Sequence, residues 1–402
     1  MKVFSLVCVA LCTLFFSFCA SAKPLVVEAS VRDNPTIFFK GVEGSAELTS
    51  AIRSFLGACG WFDISSSEKA DYQLSGKVSG SIFYFNLTLG GAPLGSWKMP
   101  SGGIDIRKLA AAAVDTVIEK SFRELKVRGF CSSSIAFCAQ TAPGVRNIYV
   151  CDIDGNNTRQ VTRFNTLCVE PSWNPAGTSV IYSKYTPTGI AVIETEVGGA
   201  KRSRLLSAFN GINAGAAQNP SGRELALILS PDKRVDLYLL DLNSRKLVRL
   251  TRSKSVEASP CWSPDGKQIA YVSDETGNPR IFVSSRNGSG RMRLPSIGRD
   301  AVTPDWSGDN KIVYASRVGG TYALGVYDMA DHSNKQITRD GGNWESPAWA
   351  ADFRHVVAKC TRNGKSGIYV VDTWTGKIRP LITTSYSLSM PAWSPCRRRT
   401  AN

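Results

Sequence analysis

Ser259-Pro-Cys-Trp-Ser-Pro-Asp-Gly266 decides how this chain is read, because the same phrase returns along it at a fixed interval. Glu170-Pro-Ser-Trp-Asn-Pro-Ala-Gly177, Thr303-Pro-Asp-Trp-Ser-Gly308, Ser346-Pro-Ala-Trp349 and Met390-Pro-Ala-Trp-Ser-Pro395 are further copies. Ala217-Gln-Asn-Pro-Ser-Gly222 is a degenerate sixth, with Gln218 in the Trp place. The key positions 173, 218, 262, 306, 349 and 393 stand 43 to 45 residues apart, the length of one four-stranded propeller blade. After the Trp comes a Pro-Asp-Gly type turn, then a β-rich run such as Ile269–Val272, a loop, and a second run such as Arg280–Val283. A turn at Arg286-Asn-Gly288 and a third run such as Val248–Thr251 complete the unit. A lone four-stranded sheet cannot bury both faces, whereas six arranged radially cover one another and leave only short edges. The pattern predicts an all-β six-bladed propeller over residues 130–402.

The phase of the repeat predicts how the ring closes. Trp393 opens a blade, but the chain ends at Asn402, before a second strand can form. The missing strand stands at the other end, where Ile135-Ala-Phe-Cys138 matches Ile269-Ala-Tyr-Val272 and has no Trp element ahead of it. The last blade is therefore expected to join both ends of the propeller. Superposing the repeats puts Cys131 and Cys396 at the one turn position held by Asp265, so they are expected either to form a disulfide across the clasp or to lie near one another as thiols.

Residues 23–129 lack the repeat. Ala46–Gly57 spaces Leu48, Ile52, Phe55 and Leu56 helically, Tyr72–Val78 and Ile82–Leu89 alternate like strands, and Leu94–Trp97 adds a further strand. A long helix is expected from about Ile104 to Lys126, burying Ile106, Leu109, Ala113, Val117 and Leu125 and turning Lys108, Asp115, Glu119 and Arg123 to water. This predicts a small α/β domain of one sheet and two helices. Ahead of it, Met1–Ala22 has one base, an apolar run from Val3 to Phe18 and Ala20-Ser-Ala22, the pattern of a signal peptide cut before Lys23. Apolar residues make up 43% and charged ones 20%, which excludes a disordered or coiled-coil chain. The net charge of +15 falls mainly beyond residue 129.

The signal, the α/β front, the six Trp-Ser-Pro-Asp-Gly blades and the ending just after Pro-Ala-Trp-Ser-Pro395 together resemble the TolB family over the whole chain. Val127-Arg-Gly-Phe130 before Ile135-Ala-Phe137, and Ala70-Asp-Tyr72 before Gly76-Lys-Val78, are similar to that family's front domain and junction. The resemblance implies a monomeric periplasmic member of the Tol-Pal system, peripheral to the envelope membranes, which serves outer-membrane integrity and constriction at division. It implies that the propeller binds the peptidoglycan-associated lipoprotein, Pal, through the loops ahead of each Trp strand. On this chain those loops carry Glu170, Asn213, Gly215, Glu257, Ala258, Ser259, Trp344, Glu345 and Ser389. It also implies contact with TolA through the mature N-terminal segment, here Lys23, Leu25, Val26 and Val27. The sequence departs from the family at Gln218, at Ala258-Ser259 where an acidic residue is common, and at the basic start Lys23-Pro24.

The residues themselves argue against catalysis, a cofactor or a metal. No Gly-x-Ser-x-Gly elbow occurs, and His332 and His355 both fall inside repeat elements. Asp152-Ile-Asp-Gly-Asn156 lacks the glycine placement and closing Glu of an EF-hand, so it reads as a β-turn. The repeated Trp residues read as packing. Trp344, off the repeat and beside Glu345, reads either as a loop anchor or as a partner hot spot. Arg397-Arg-Arg399 reads as a solvated end. No aromatic-basic module for nucleic acid appears, so the basic propeller is expected to meet an acidic protein or an envelope surface. The alternative from a different class is a propeller accessory to a hydrolase, or a small-ligand binder.

Overall fold

The computed structural model describes residues 33–198 and 202–396. The signal sequence, the segment Lys23–Val27 and the tail Arg397–Arg399 lie outside them. The front region opens with β1 (Thr36–Glu43), followed by α1 (Ala46–Cys59), β2 (Asp63–Ser65), β3 (Tyr72–Ser79), β4 (Ile82–Leu89), β5 (Ala92–Pro100) and α2 (Ile106–Ser121). The sheet runs β2-β1-β3-β4-β5, parallel around β1 and antiparallel beyond it. Ser45 caps α1 by accepting the Leu48 N–H at 3.2 Å. Gly60 ends it with φ +68°, and a Cβ there would stand 2.5 Å from His355 Nε2 of the propeller. Backbone handedness and close packing thus both require glycine at that point.

The second helix departs from the sequence reading in two ways. It stops at Ser121, followed by a 3-10 turn, Arg123–Leu125, and Leu125 is 57% exposed instead of joining the apolar stripe. Asp115, expected in water, is buried. Its carboxylate accepts the Cys131 N–H at 2.6 Å, the Ser132 N–H at 3.1 Å and the Ser132 hydroxyl at 2.6 Å. Helical periodicity identified the apolar face, but a second body packing on the face assigned to water is invisible to it.

Six four-stranded sheets follow. Blade 1 spans Cys168–Ser207, blade 2 Asn213–Arg249, blade 3 Glu257–Arg293, blade 4 Ala301–Gln336 and blade 5 Asn343–Thr383. Blade 6 pairs Ser387–Trp393 with Ser134–Ala142, Val145–Asp152 and Arg159–Gln160. Trp393 stands opposite Ile135, the pairing that Trp262 makes with Ile269 in blade 3, so the ring closes in the register the repeat predicts. At the clasp, the Trp393 indole N–H donates to Ser133 Oγ at 2.7 Å, and the Ser134 N–H donates to Ser394 Oγ at 2.8 Å.

Each inner strand carries a break in pairing register at the same place. The residue there has positive φ: Glu170, Gly215, Ser259, Thr303, Ser346 and Met390. In five copies a proline follows, and its missing N–H suits a bulge that would leave that donor unpaired. The degenerate copy has Ala216 instead of proline, and there the left-handed position is held by glycine.

No disulfide joins Cys131 to Cys396, although both line one cleft between front domain and propeller. Cys131 is 2% exposed. Burial, reinforced by the adjacent Asp115 carboxylate, pushes its thiol well above the usual range, which keeps the sulfur protonated and unreactive.

Candidate partner-binding face

The inner strands all run the same way along the ring axis, so the propeller has two unlike ends. At the Trp end the inner strands finish, and the front domain covers blades 5 and 6 there. Arg107 of α2 pairs with Asp152 and Asp154 at 2.7 Å each, and Ser54 of α1 donates to Asp154 at 2.5 Å. Trp61 donates its indole N–H to Asp352 at 2.9 Å. Arg354 lies between the rings of Trp61 and Trp374, at 4.6 and 4.9 Å, and bonds Asp372 at 2.5 Å and Asn34 at 2.6 Å. His355 faces Asp352 through Nδ1 at 2.6 Å and stacks on Phe130. Burial alone would raise the Asp372 carboxyl. The hydrogen bonds from Arg354 and the nearby His355 outweigh it and hold the group at about 2. This end is committed to internal contacts.

Below the covered end lies an axial chamber of about 800 Å³. Trp173, Gln218, Trp262, Trp306, Trp349 and Trp393 all line it. The indole N–H of Trp173 donates to Ala392 O and that of Trp262 to Ala217 O, both at 3.0 Å, so each ring ties its blade to the preceding one. Gln218 instead bonds its own turn through Gly222 O. The repeated aromatics are therefore packing, with Trp173 and Trp262 also linking blades, while Trp306 and Trp393 bond within their own blade through Asn310 and Ser133. Asp305 is the one carboxylate in the chamber wall. Burial pushes it up to about 6 against the N–H groups of Trp349 and Trp306.

The opposite end is formed by the loops ahead of each inner strand and by the hairpins joining second to third strands. It carries the residues singled out from sequence, and the structure divides them. Trp344 is 0% exposed, within the strand Asn343–Trp349, and donates its indole N–H to Asp340 at 2.8 Å. It anchors its loop from inside and cannot be a contact. Glu257 is 1% exposed, accepts from Ser253 Oγ at 3.0 Å, and is raised by burial against its hydroxyl partners. Asn213 is 0% exposed and accepts the Phe209 N–H at 2.9 Å and the Ser207 hydroxyl at 2.6 Å. These three shape loops instead of presenting themselves.

Glu170 accepts the Ser183 hydroxyl at 3.0 Å and the Gly215 N–H at 2.8 Å, so it links blade 1 to blade 2 at the channel mouth. Ala258 and Ser259 are half-buried on blade 3, and Ser389 is 8% exposed. Glu345 is half-buried and paired to Lys359 at 2.5 Å. Sequence reasoning looked only at the loops before each Trp strand. It missed the second-to-third-strand hairpins, which reach the same face because strands alternate in direction, and the aromatic residues Phe164, Tyr185, Phe209 and Tyr386. These are 36 to 50% exposed. The signal was available: large aromatics placed in Gly, Thr and Asn-rich loops, off the strand alternation.

Among the described residues no helix is long and apolar enough to cross a membrane, and no cluster of three or more acidic, His or Cys side chains is placed to hold a metal. The family model described as the TolB beta propeller domain matches residues 124–397. A "Protein TolB homolog" of Chlorobium chlorochromatii is 33% identical over 168 residues, 42% of this chain and 37% of that protein. A "Tol-Pal system protein TolB" of Helicobacter pylori is 23% identical over 287 residues, 69% of this chain and 68% of the relative. The matched stretch thus spans little more than a third of the Chlorobium protein and about two thirds of the Helicobacter one. Among solved structures, TolB from Acinetobacter baumannii superposes with a TM-score of 0.82 at 18% identity, covering 90% of this chain and 97% of that one. It has the same fold, front region included. With a family model matching more than half its length, and with the front region and closed ring described above, the chain belongs to the TolB family.

Proposed function

We propose that this chain is a non-catalytic periplasmic docking protein of the Tol-Pal system, whose open propeller face binds the peptidoglycan-associated lipoprotein and so contributes to outer-membrane integrity and constriction during division. The observation that carries this reading is the asymmetry of the ring: at one end the front domain sits on blades 5 and 6, held by the Arg107 ion pairs and the Trp61–Asp352 hydrogen bond, and the other offers loops and exposed aromatics on a stiff support. Rim loops held by a rigid ring suit a standard interface of about 800 Å² per partner. The half-buried mouth residues Glu170, Ala258, Ser259 and Glu345 belong to this surface, with Ser389 buried beneath it. Asn213, Glu257 and Trp344 hold its loops in place. The mature N-terminal segment containing Lys23, Leu25, Val26 and Val27 is assigned to a second partner, TolA, and export depends on the signal sequence ahead of it.

Calorimetric titration of residues 23–402 with the soluble domain of the lipoprotein tests the reading. A one-to-one complex in the micromolar range or tighter is expected, and no heat with well-folded partners refutes it. A second reading, a small-ligand binder, is favoured only by the Trp-lined chamber with Asp305 in its wall. It would be preferred if the titration failed and a small molecule copurified.

A further inference from the structure

Resting on the docking reading, we propose that the partner is gripped at one sector of the open face, the seam of blades 6, 1 and 2, and that it presents carboxylates flanked by an apolar surface. Phe164 sits in the loop entering blade 1, with the Lys184 ammonium 3.5 Å from its ring centroid. Thr166 of that loop donates its hydroxyl to Tyr185 O at 3.0 Å, and the Tyr185 N–H donates to Leu167 O at 2.9 Å, so loop and hairpin form one surface. The Arg146 N–H donates to Thr166 O at 3.1 Å, which brings the blade 6 hairpin against them. Ser387 stands opposite Gln140, whose side chain accepts from Arg146 at 3.0 Å, which places the loop between blades 5 and 6 on the same side. The loop carrying Phe209 borders this surface where Gly211 O approaches Gly189. Tyr386, Tyr185, Phe209 and Phe164 are 50, 41, 37 and 36% exposed.

The electrostatics of this sector differ from the rest of the face. The five segments 140–146, 161–168, 184–189, 208–212 and 384–387 contain no Asp or Glu, yet hold Arg146, Arg163 and Lys184. None of these three forms an ion pair among the described residues, and the buried Nε of Arg146 has no hydrogen-bond partner. On blades 2 to 5 the same face mixes the two signs, with Arg234 paired to Asp232, Arg291 to Glu275, Arg317 to Asp300 and Arg362 to Asp340 beside bases that form no ion pair among the described residues. There carboxylates answer part of the positive charge, whereas these five segments hold none. Exposed aromatics among unpaired cations are the composition of a protein contact centre, where rings supply area and charges supply orientation and association rate. The positive charge needs carboxylates opposite it, and the rings need apolar surface.

The test compares full mature chain (residues 23–402) with three variants, Arg163→Glu/Lys184→Glu, Phe164→Ala and the remote control Lys246→Glu, titrated with the lipoprotein's soluble domain at low and high salt. Circular dichroism and thermal melting check that each is folded. The proposal expects about tenfold weaker binding or more for the charge-reversed and Phe164 variants, no change for Lys246→Glu, and a steep loss of wild-type affinity with salt. Wild-type binding that all three variants retain overturns the sector while leaving the docking reading intact. No wild-type binding removes the docking reading itself and this inference with it. Patch-dependent binding to phosphatidylglycerol vesicles, with none to the lipoprotein domain, overturns the proposal in favour of a membrane surface.

Discussion

The two ends of the propeller hold charged residues in opposite conditions. At the covered end Arg354, Asp372, Asp352 and His355 are each at most 5% exposed, and each is bonded to another side chain. At the open seam of blades 6 and 1, Arg146, Arg163 and Lys184 form no ion pair among the described residues; Arg146 bonds the Gln140 side chain and Lys184 lies over the Phe164 ring. Charge withdrawn from water must be matched inside the fold, whereas charge left at a surface remains available to a partner. The difference teaches where to look for recognition in such a ring. The buried charges report on how the two bodies are fastened, and the unpaired exposed ones on what the molecule can still meet.

The comparison can be broken most severely at Glu257, which sequence reading placed among partner contacts, where charge reversal would weaken capture without unfolding. Its 1% exposure predicts otherwise. Glu257→Lys should cost about 4 kcal/mol or more through an unpaired buried charge, read as a lowered urea midpoint or loss of soluble protein. A variant that melts like wild type but binds poorly would restore Glu257 as a contact.

Arg354→Met removes the cation that holds Asp372, leaving that carboxylate buried and unmatched, at a cost of about 3–5 kcal/mol. A pH dependence accompanies it. The Asp372 carboxyl is held at about 2, below its unfolded value near 3.8. The native state therefore binds fewer protons than the unfolded state between these values. The stability this provides is complete above about pH 4 and is lost as pH falls towards about 2. In Arg354→Met, burial is opposed only by the remaining neighbours, so the acid limb of the urea-midpoint profile should move to higher pH. An unchanged limb would show that Arg354 does not set this carboxyl.

The smallest effect belongs to the open end. Phe164→Ala should alter stability by no more than about 0.5 kcal/mol, as surface substitutions away from packed features do. A large drop in melting temperature would mean that Phe164 is structural and that the two ends differ less than described.

The architecture was legible because propellers write their period into sequence. Each inner strand needs a left-handed residue before a residue that tolerates a bulge, then a side chain to pack at the axis, and these needs recur every 43 to 45 residues, in five copies as x-Pro-x-Trp. Closure was legible because a blade without its second strand and a second strand without its Trp leave one pairing. Less of the site was legible. Trp344 and Glu345 are adjacent, yet one is buried and the other half-exposed, because successive side chains of a strand point to opposite faces. Aligned repeats brought Cys131 and Cys396 to one turn, but they do not disclose that Cys131 is enclosed beside Asp115.

By itself the sequence determined the number of blades, their register at the clasp and the kind of strand that lines the axis, since each depends on local backbone chemistry repeated six times. Only the tertiary structure decided which charges are spent and which are left over. Whether Asp115 meets water or the Cys131 amide, and whether Arg163 meets a carboxylate or none, depends on chain segments tens to hundreds of residues away, and pairwise electrostatics acts over a few ångströms of space without regard to separation along the chain.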